Sequence, residues 1–586
     1  MEDRATGDTR AFQIVVEGIG AALKKFHTGQ IENRLYFHLF QNRFLVASEK
    51  YPHTSDMRTR LIILLTFLAV EALSQNLRSG GALKPEQANM DIRHYTISLD
   101  VDPVAKSIKG FTEIQLILTA PAPVMLIDLW HGLQVSDVRV DGAVIPFKHG
   151  EDDIIRMESA KSWSAGKHLI KISYGGIPGV ADRAPWTGGF QWAADAKGNP
   201  WIAITCQAEG GKIFFPCKDH PSDEPNEGAD LMITVPKGLV AVGPGLLIGS
   251  KSGGNKTTWH WKTNYTISNY CLVFNIGKYT VVRRPYTSVA GTKIPMEFYV
   301  LEEDAAKGPH MLEMLERTTH VLEKYFGEYP WAKERIGLVE TPHLGMEHQS
   351  SIAYGNKFRY TQVGGQDFDW LLNHEFGHEW WANKVSNKDW AHMWIQEGIC
   401  SFGDALYIRD MDGEEAYRKR MRETARNTSN QKPIVQGEVV DSDDTYQGDI
   451  YGKGALFMHT LRYVIGDSIF FPALKKLATD PSTTYDNMIT TDDVEHLFSQ
   501  ASGRNLKPLF DLFLRTTQKL EISLKQKSDN SYLLRVMNLD MTLPIEVMVD
   551  GKLLPMTVGK EGITIQAKTL PQVDPQGFYL KKVIIE

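Results

Sequence analysis

Five consecutive residues, His374-Glu375-Phe376-Gly377-His378, constrain this chain more than any other stretch. In a helix, residues four apart share a face, so both imidazoles can point at a single ion. Glu375 falls about 100° round the helix from His374, within reach of a water on that ion without ligating it. Glu397 follows after eighteen intervening residues, inside Trp394-Ile395-Gln396-Glu397-Gly398. That gap suits a loop and a second helix folded back on the first. His374, His378 and Glu397 then make a three-ligand Zn2+ site with one position open, as catalytic zinc requires. The five-residue pattern alone arises by chance in about a few per cent of chains this long. An acidic residue on a second apolar helical segment, residues 394–407, is what lends it specificity. Phe376, Trp380 and Trp381 read as ordinary core residues of the first helix.

The 586 residues allow three or four domains with sizeable cores. A mild net charge of −7 argues against nucleic acid or anionic lipid as the main partner. Cys206, Cys217, Cys271 and Cys400 are too few for a disulfide framework, and none is spaced as a zinc pair, so buried thiols are expected. Met57-Arg58-Thr59-Arg60 is a short basic start, followed by an apolar run at residues 61–70 and small residues at 70–74. That is the layout of a secretory signal peptide, too short to span a bilayer comfortably. A signal at 57–75 implies that residues 1–56 are an over-extended N-terminus and that the protein is secreted or periplasmic, with no stable membrane span. An internal buried strand or helix is the competing reading.

Periodicity divides the remainder. Alternation at residues 95–101 and 111–116, and an Asp141-Gly142 turn between apolar runs, mark short strands, so residues 88–284 read as one large antiparallel β domain. Beyond it, Gly308–Phe326 has a helical stripe of Met311, Leu312, Leu315 and Leu322. Residues 336–340 read as a strand, and Gly345-Met346-Glu347 follows on what looks like a sheet edge. Further helices are expected at 414–428, 454–465 and 491–501, giving a mixed, mostly helical domain over 285–518. Alternation returns at residues 520–524, 532–536 and 545–549, as a small β-sandwich over 519–586. The fold class is α+β, multidomain.

These residues resemble the gluzincin zinc aminopeptidases, the family of aminopeptidase N and leukotriene hydrolase. The resemblance covers roughly residues 90–520. Its motifs are the two histidines with Glu397, Gly345-Met346-Glu347, Thr205-Cys206-Gln207-Ala208 with Phe215-Pro216-Cys217 and Asp219, and Tyr451-Gly452-Lys453-Gly454-Ala455. It implies a saddle-like β domain, a thermolysin-like catalytic domain and a β-sandwich. It also implies one Zn2+ per chain and release of N-terminal residues from peptides with a free amine. Glu375 would be the general base, and Glu347, with Gly345 and Met346, would bind the α-ammonium. Gln207 would share the amine or a carbonyl, and Tyr451 would donate to the oxyanion, with Tyr446 as its rival. The bland alternatives are a solvent-facing charge at Glu347, a structural amide at Gln207 and a packing ring at Tyr451. His343 and His392 are expected to be surface or structural.

Three departures from the family pattern stand out. His348 replaces the usual Asn after Glu347, and Gly452 the commoner Glu after the tyrosine. The chain stops after the sandwich, without the helical domain many relatives carry, which implies a more open cleft or one closed by a second subunit. The rival functions are a thermolysin-like endopeptidase, a leukotriene-hydrolase-like epoxide hydrolase, favoured slightly by Gln207, and an inactive peptide-binding protein of the same fold. That last would be expected to have lost a ligand or Glu375, and none is lost.

Overall fold

Along the strand Met90–Asp102, Tyr95, Ile97, Leu99 and Val101 are buried while the residues between them reach outward. One buried face is what a pleated strand with period two produces, and each such aliphatic contributes about 1.5–3 kcal/mol. The structure, a computed structural model, describes residues 77–586. The expected signal at 57–75 and the segment 1–56 lie outside the described residues.

Met90–Asp102 lies inside an eight-stranded sheet. It pairs antiparallel with Ser107–Leu118 but parallel with Ala229–Pro236. The parallel pair departs from the wholly antiparallel domain that the hairpin signals suggest. It is reached through a long connection rather than a turn, and such connections leave no local mark. Where the turn is local, the sequence is explicit. Asp141 and Gly142 have φ of 51° and 85°, the positive values a two-residue hairpin needs, and they join Gln134–Val140 to Ala143–Val144. A smaller four-stranded sheet includes Pro200–Thr205, whose end delivers Gln207.

The strand Tyr279–Thr287 crosses residue 284, the expected domain boundary, and pairs with Lys293–Leu301. Together with Ile336–Glu340, Ile352–Tyr354 and Gly345–Met346 these form a five-stranded mixed sheet, with Gly345–Met346 at one edge. The helix Gly308–Phe326 buries Met311, Leu312, Leu315 and Leu322. Aromatic side chains fill the core under the histidine helix: Tyr329 stacks on Phe376 at 5.7 Å and Phe326 meets Trp381 edge-on at 5.1 Å. A long helical stretch, Trp394–Asn427, breaks at Gly413, where φ is 86°, so the two helical segments expected there meet at a kink. Residues beyond Leu520 form a four-stranded and a three-stranded sheet. The fold is thus mixed α/β with several sheets. No helix among the described residues is long and apolar enough to cross a membrane.

Candidate active site

The helix Trp370–Gly377 begins at a fixed point. Asp369 caps it, accepting from the Leu371 and Leu372 amides, which satisfies donors that a helix start leaves orphaned. The same carboxylate accepts from Tyr354 at 2.6 Å and Asn356 at 2.9 Å, tying the helix to the strand Ile352–Tyr354. His378 sits just past the last helical residue but keeps helical angles, φ −66° and ψ −14°. The four-residue spacing therefore survives the helix end, and the two imidazoles stand 4.8 Å apart, edge to face.

Each ring is oriented from behind. Asp404 Oδ2 lies 2.9 Å from His374 Nδ1, and the Trp381 carbonyl lies 2.7 Å from His378 Nδ1. Both partners accept, so each Nδ1 carries the proton and each Nε2 a lone pair. The two Nε2 atoms face one another at 3.3 Å. Glu397 Oε2 is 3.6 Å from one and 3.3 Å from the other, buried and without a donor. Three lone pairs turned inward repel unless a cation lies among them. Tetrahedral ligand bonds of about 2.0–2.1 Å place ligand atoms about 3.3 Å apart, which is the spacing seen here. The donor set therefore fits one Zn2+.

The surroundings favour positive charge at this place. Burial resists charge on either imidazole, yet Cys400 and the Asp404 and Glu397 carboxylates outweigh it and raise both rings above the ordinary histidine range, so protons and a metal ion compete for the same Nε2 atoms. Burial likewise opposes ionisation of Glu397, but the two rings hold its carboxyl below the usual range. Cys400 also converges on both histidines, but from the wrong side. Its thiol donates to the His374 carbonyl at 3.0 Å and lies 3.8 Å from Nδ1, the atom facing Asp404. Gly377 makes room for it, since a Cβ there would stand 2.8 Å from the sulfur. The Nε2 side is left to Glu397. All four cysteines are free and buried.

Glu397 occupies the first turn of its helix, and Asp404 follows seven residues later, two turns on and on the same face. This helix packs against Asp449–Ile465, with backbone on backbone: a Cβ on Gly398 would lie 2.7 Å from the Gly454 Cα. Tyr451, on that second helix, has its ring 5.9 Å from that of His374. Its hydroxyl is 2.6 Å from that of Tyr446, so the two rival tyrosines meet at one place, Tyr446 being the outer one. Burial pushes both phenols upward, so both keep their protons.

The opposite wall is the edge strand. A Cβ on Gly345 would lie 2.8 Å from Glu375 Oε1, so the absence of one lets the Glu375 carboxylate lie against the strand backbone. Met346, next along the strand, is buried. Glu347 is buried, not a solvent-facing charge. Gln207 Nε2 donates to its Oε1 at 2.6 Å and the Tyr270 hydroxyl to the same oxygen at 3.0 Å, leaving Oε2 to a guest. Glu347, Glu375 and His378 each offer an atom within 4.8 Å of the others. Burial raises both carboxyls.

His343, His348 and His392 are all buried, which corrects the surface alternative for His343 and His392. His343 and His348 lie in irregular segments and His392 in a single 3-10 turn, Trp390–His392, where no periodicity reports burial. Sequence reasoning missed Asp404 and Tyr270. Asp404 had a signal in its seven-residue spacing from Glu397. Tyr270 had none, because a short turn, Asn269–Cys271, carries it in from the β region.

Residues 310–513 match the model of the Peptidase family M1 domain. The leucyl aminopeptidase of Saccharolobus solfataricus is 22% identical over 532 residues, covering 83% of this chain and 63% of that one. Aminopeptidase B of Mus musculus is 25% identical over 363 residues, covering 57% and 51%. The chain thus spans about half to two thirds of the length of such curated relatives. An M1 zinc metallopeptidase mutant of Deinococcus radiodurans, solved with a Tyr-Ser-Ala substrate, is similar in fold. Its TM-score is 0.61 at 20% identity, covering 73% of this chain and 94% of that one.

Proposed function

We propose that the chain, whose residues 310–513 match the model of the Peptidase family M1 domain, is a zinc aminopeptidase acting on peptides with a free N-terminal amine. The observation that carries the proposal is Glu347, buried, engaged through one oxygen only, and converging with Glu375 and His378. A carboxylate so placed accepts an α-ammonium through the other oxygen and sets the scissile bond one residue from the terminus.

One Zn2+ per chain, held by His374, His378 and Glu397, would supply Lewis acidity to the scissile carbonyl and lower the pKa of water. Glu375, against the Gly345 backbone, takes the proton of the attacking water and returns it to the leaving amine. Of the paired Tyr446 and Tyr451 hydroxyls, one donates to the other, which frees the second proton for the oxyanion. We assign the outward donation to Tyr451, whose ring lies beside His374. Gln207 positions Glu347. Residues from 88 up to the strand Tyr279–Thr287 are assigned to an N-terminal β domain, from that strand to 518 to a thermolysin-like catalytic domain and 519–586 to a β-sandwich. The signal at 57–75 directs secretion or export to a periplasm, which N-terminal sequencing of the mature protein checks: an intact residue 2 rejects it.

The decisive experiment compares an amino-acid arylamide with its N-acetyl form. Acetylation leaves Glu347 desolvated and unpaired, a penalty of about 2–5 kcal/mol, or roughly 30- to several-thousand-fold in kcat/KM. Efficient cleavage of acetylated or internal bonds rejects the aminopeptidase function while leaving the zinc site intact.

A further inference from the structure

A second polar cavity lies behind the amine anchor, and Gln207 and Tyr270 line it from the cleft side. It is narrow, about 20 Å³, enough for one small ion or about one water. Three neighbouring acids lie on its wall. Asp219 is paired with Lys212 at 2.8 Å and Asp223 with Lys218 at 2.6 Å. Glu224 is the acid left over. It is buried, accepts from the Ser386 and Thr266 hydroxyls at 3.1 and 3.3 Å, and has Asp223 and Asp486 as charged neighbours. Ser386 Oγ also contacts the Ala382 carbonyl, and its single proton cannot serve both acceptors.

Amide side chains line the same space. Asn269 Nδ2 donates to the Lys218 carbonyl at 2.6 Å and Asn387 Nδ2 to the Asp389 carbonyl at 2.8 Å. Only an amide N–H can make those bonds, so neither side chain can be flipped, and each Oδ1 is fixed as an acceptor on a residue that lines the cavity. Both oxygens lack a donor, as does Gln396 Oε1, and the three residues are 6%, 1% and 3% exposed. Against these acceptors stands one unpaired donor, Trp390 Nε1. A water would bring two protons, one fewer than the three amide oxygens that lack a donor. We propose that this cavity binds a monovalent alkali cation, K+ or Na+, between the Glu224 carboxylate and the amide oxygens of Asn269, Asn387 and Gln396. A divalent ion fits less well. Calcium takes six to eight oxygens, usually several of them carboxylates, and magnesium keeps its waters, whereas here one carboxylate is free and the space is small. Burial pushes the Glu224 carboxyl up to about 8, so an ion there would also restore its ionised form. Gln207 and Tyr270 both donate to Glu347, so an ion between the cavity walls stiffens the amine anchor.

The test reads binding without turnover, so its failure is distinct from failure of the aminopeptidase function. The melting temperature of the zinc-loaded full chain is measured in tetramethylammonium, sodium and potassium chloride at equal ionic strength. A saturable rise of a few degrees in K+ or Na+ over tetramethylammonium is expected, and it should vanish in Glu224→Gln. Identical melting in all three salts, or a full response in the variant, overturns the site in favour of ordered water. Should the variant not fold, wild-type crystals soaked in RbCl decide instead, with an anomalous peak in the cavity expected and its absence overturning the proposal.

Discussion

At the proposed metal end of the cleft, His374, His378 and Glu397 turn ligand atoms on one another at 3.3–3.6 Å, each imidazole locked from behind. At the proposed amine end, a few ångströms away, Glu347 already holds two neutral donors on one oxygen. The first cluster demands positive charge, which without a metal only protons on the imidazoles can supply. The second is at rest when empty, and a guest only adds to it. A site with unmet demand keeps its ion through many turnovers, whereas a site that is nearly content can release its ligand each time. Residence at the two ends is thus set by how much each group lacks before the guest arrives.

The harshest way to break this contrast is to empty the metal end. Chelation should abolish activity and added zinc restore it; full activity in demonstrably metal-free protein would end the zinc assignment. Glu375→Gln should retain the metal by elemental analysis while losing about 3–5 kcal/mol of transition-state stabilisation. Next comes the tyrosine pair. Tyr451→Phe should lower kcat by about 100- to 1,000-fold with little change in KM. A near-normal rate there, alongside a crippled Tyr446→Phe, would hand the oxyanion to Tyr446.

A smaller effect sharpens the idea that the metal ligands are held from behind. Asp404→Asn keeps the shape but cannot hold the His374 tautomer by charge, so zinc affinity should fall by about 10- to 100-fold in a chelator competition. An unchanged affinity would mean that the Asp404 contact is incidental. The smallest expected effect uses a carboxylate far from any guest. Glu334 is satisfied by the Asn264 amide at 2.8 Å and the Thr263 hydroxyl at 3.3 Å, and burial pushes it up to about 6. Its folded value lies above the unfolded one, so its contribution is complete below about pH 4.5 and is lost as pH rises through 6, by up to about 2 kcal/mol. Glu334→Gln should flatten that part of the stability profile in chemical denaturation at pH 4.5 and 7. An unaltered slope would show that neutral donors suffice to ionise a buried acid here.

The sequence carried what local periodicity can encode. His374 and His378 share a face because a helix has 3.6 residues per turn, and the Gly308–Phe326 stripe and the Asp141-Gly142 turn follow from equally short-range rules. Legibility faded where function depends on chain crossings. Tyr270 reaches Glu347 from 77 positions away, and no spacing rule anticipates that. His348, next to Glu347, is wholly buried, although its neighbours in sequence give no sign of it. Tyr446 and Tyr451 could not be ranked from sequence, and in space they share one hydrogen bond.

The contact of Gly398 with Gly454 has a mechanical consequence. One residue before Gly398 is a proposed ligand, and three before Gly454 is the proposed oxyanion donor, so two bare backbones act as a gauge block between them. Elsewhere around the cleft, the distance between working groups depends on side chains that substitution can lengthen or shorten. Here the interval is machined from main chain alone, and a single methyl on either face would thicken the joint and carry the Tyr451 hydroxyl outward with its whole helix. Descendants of this protein could redraw the walls of the cleft residue by residue, but not the calibre of that joint.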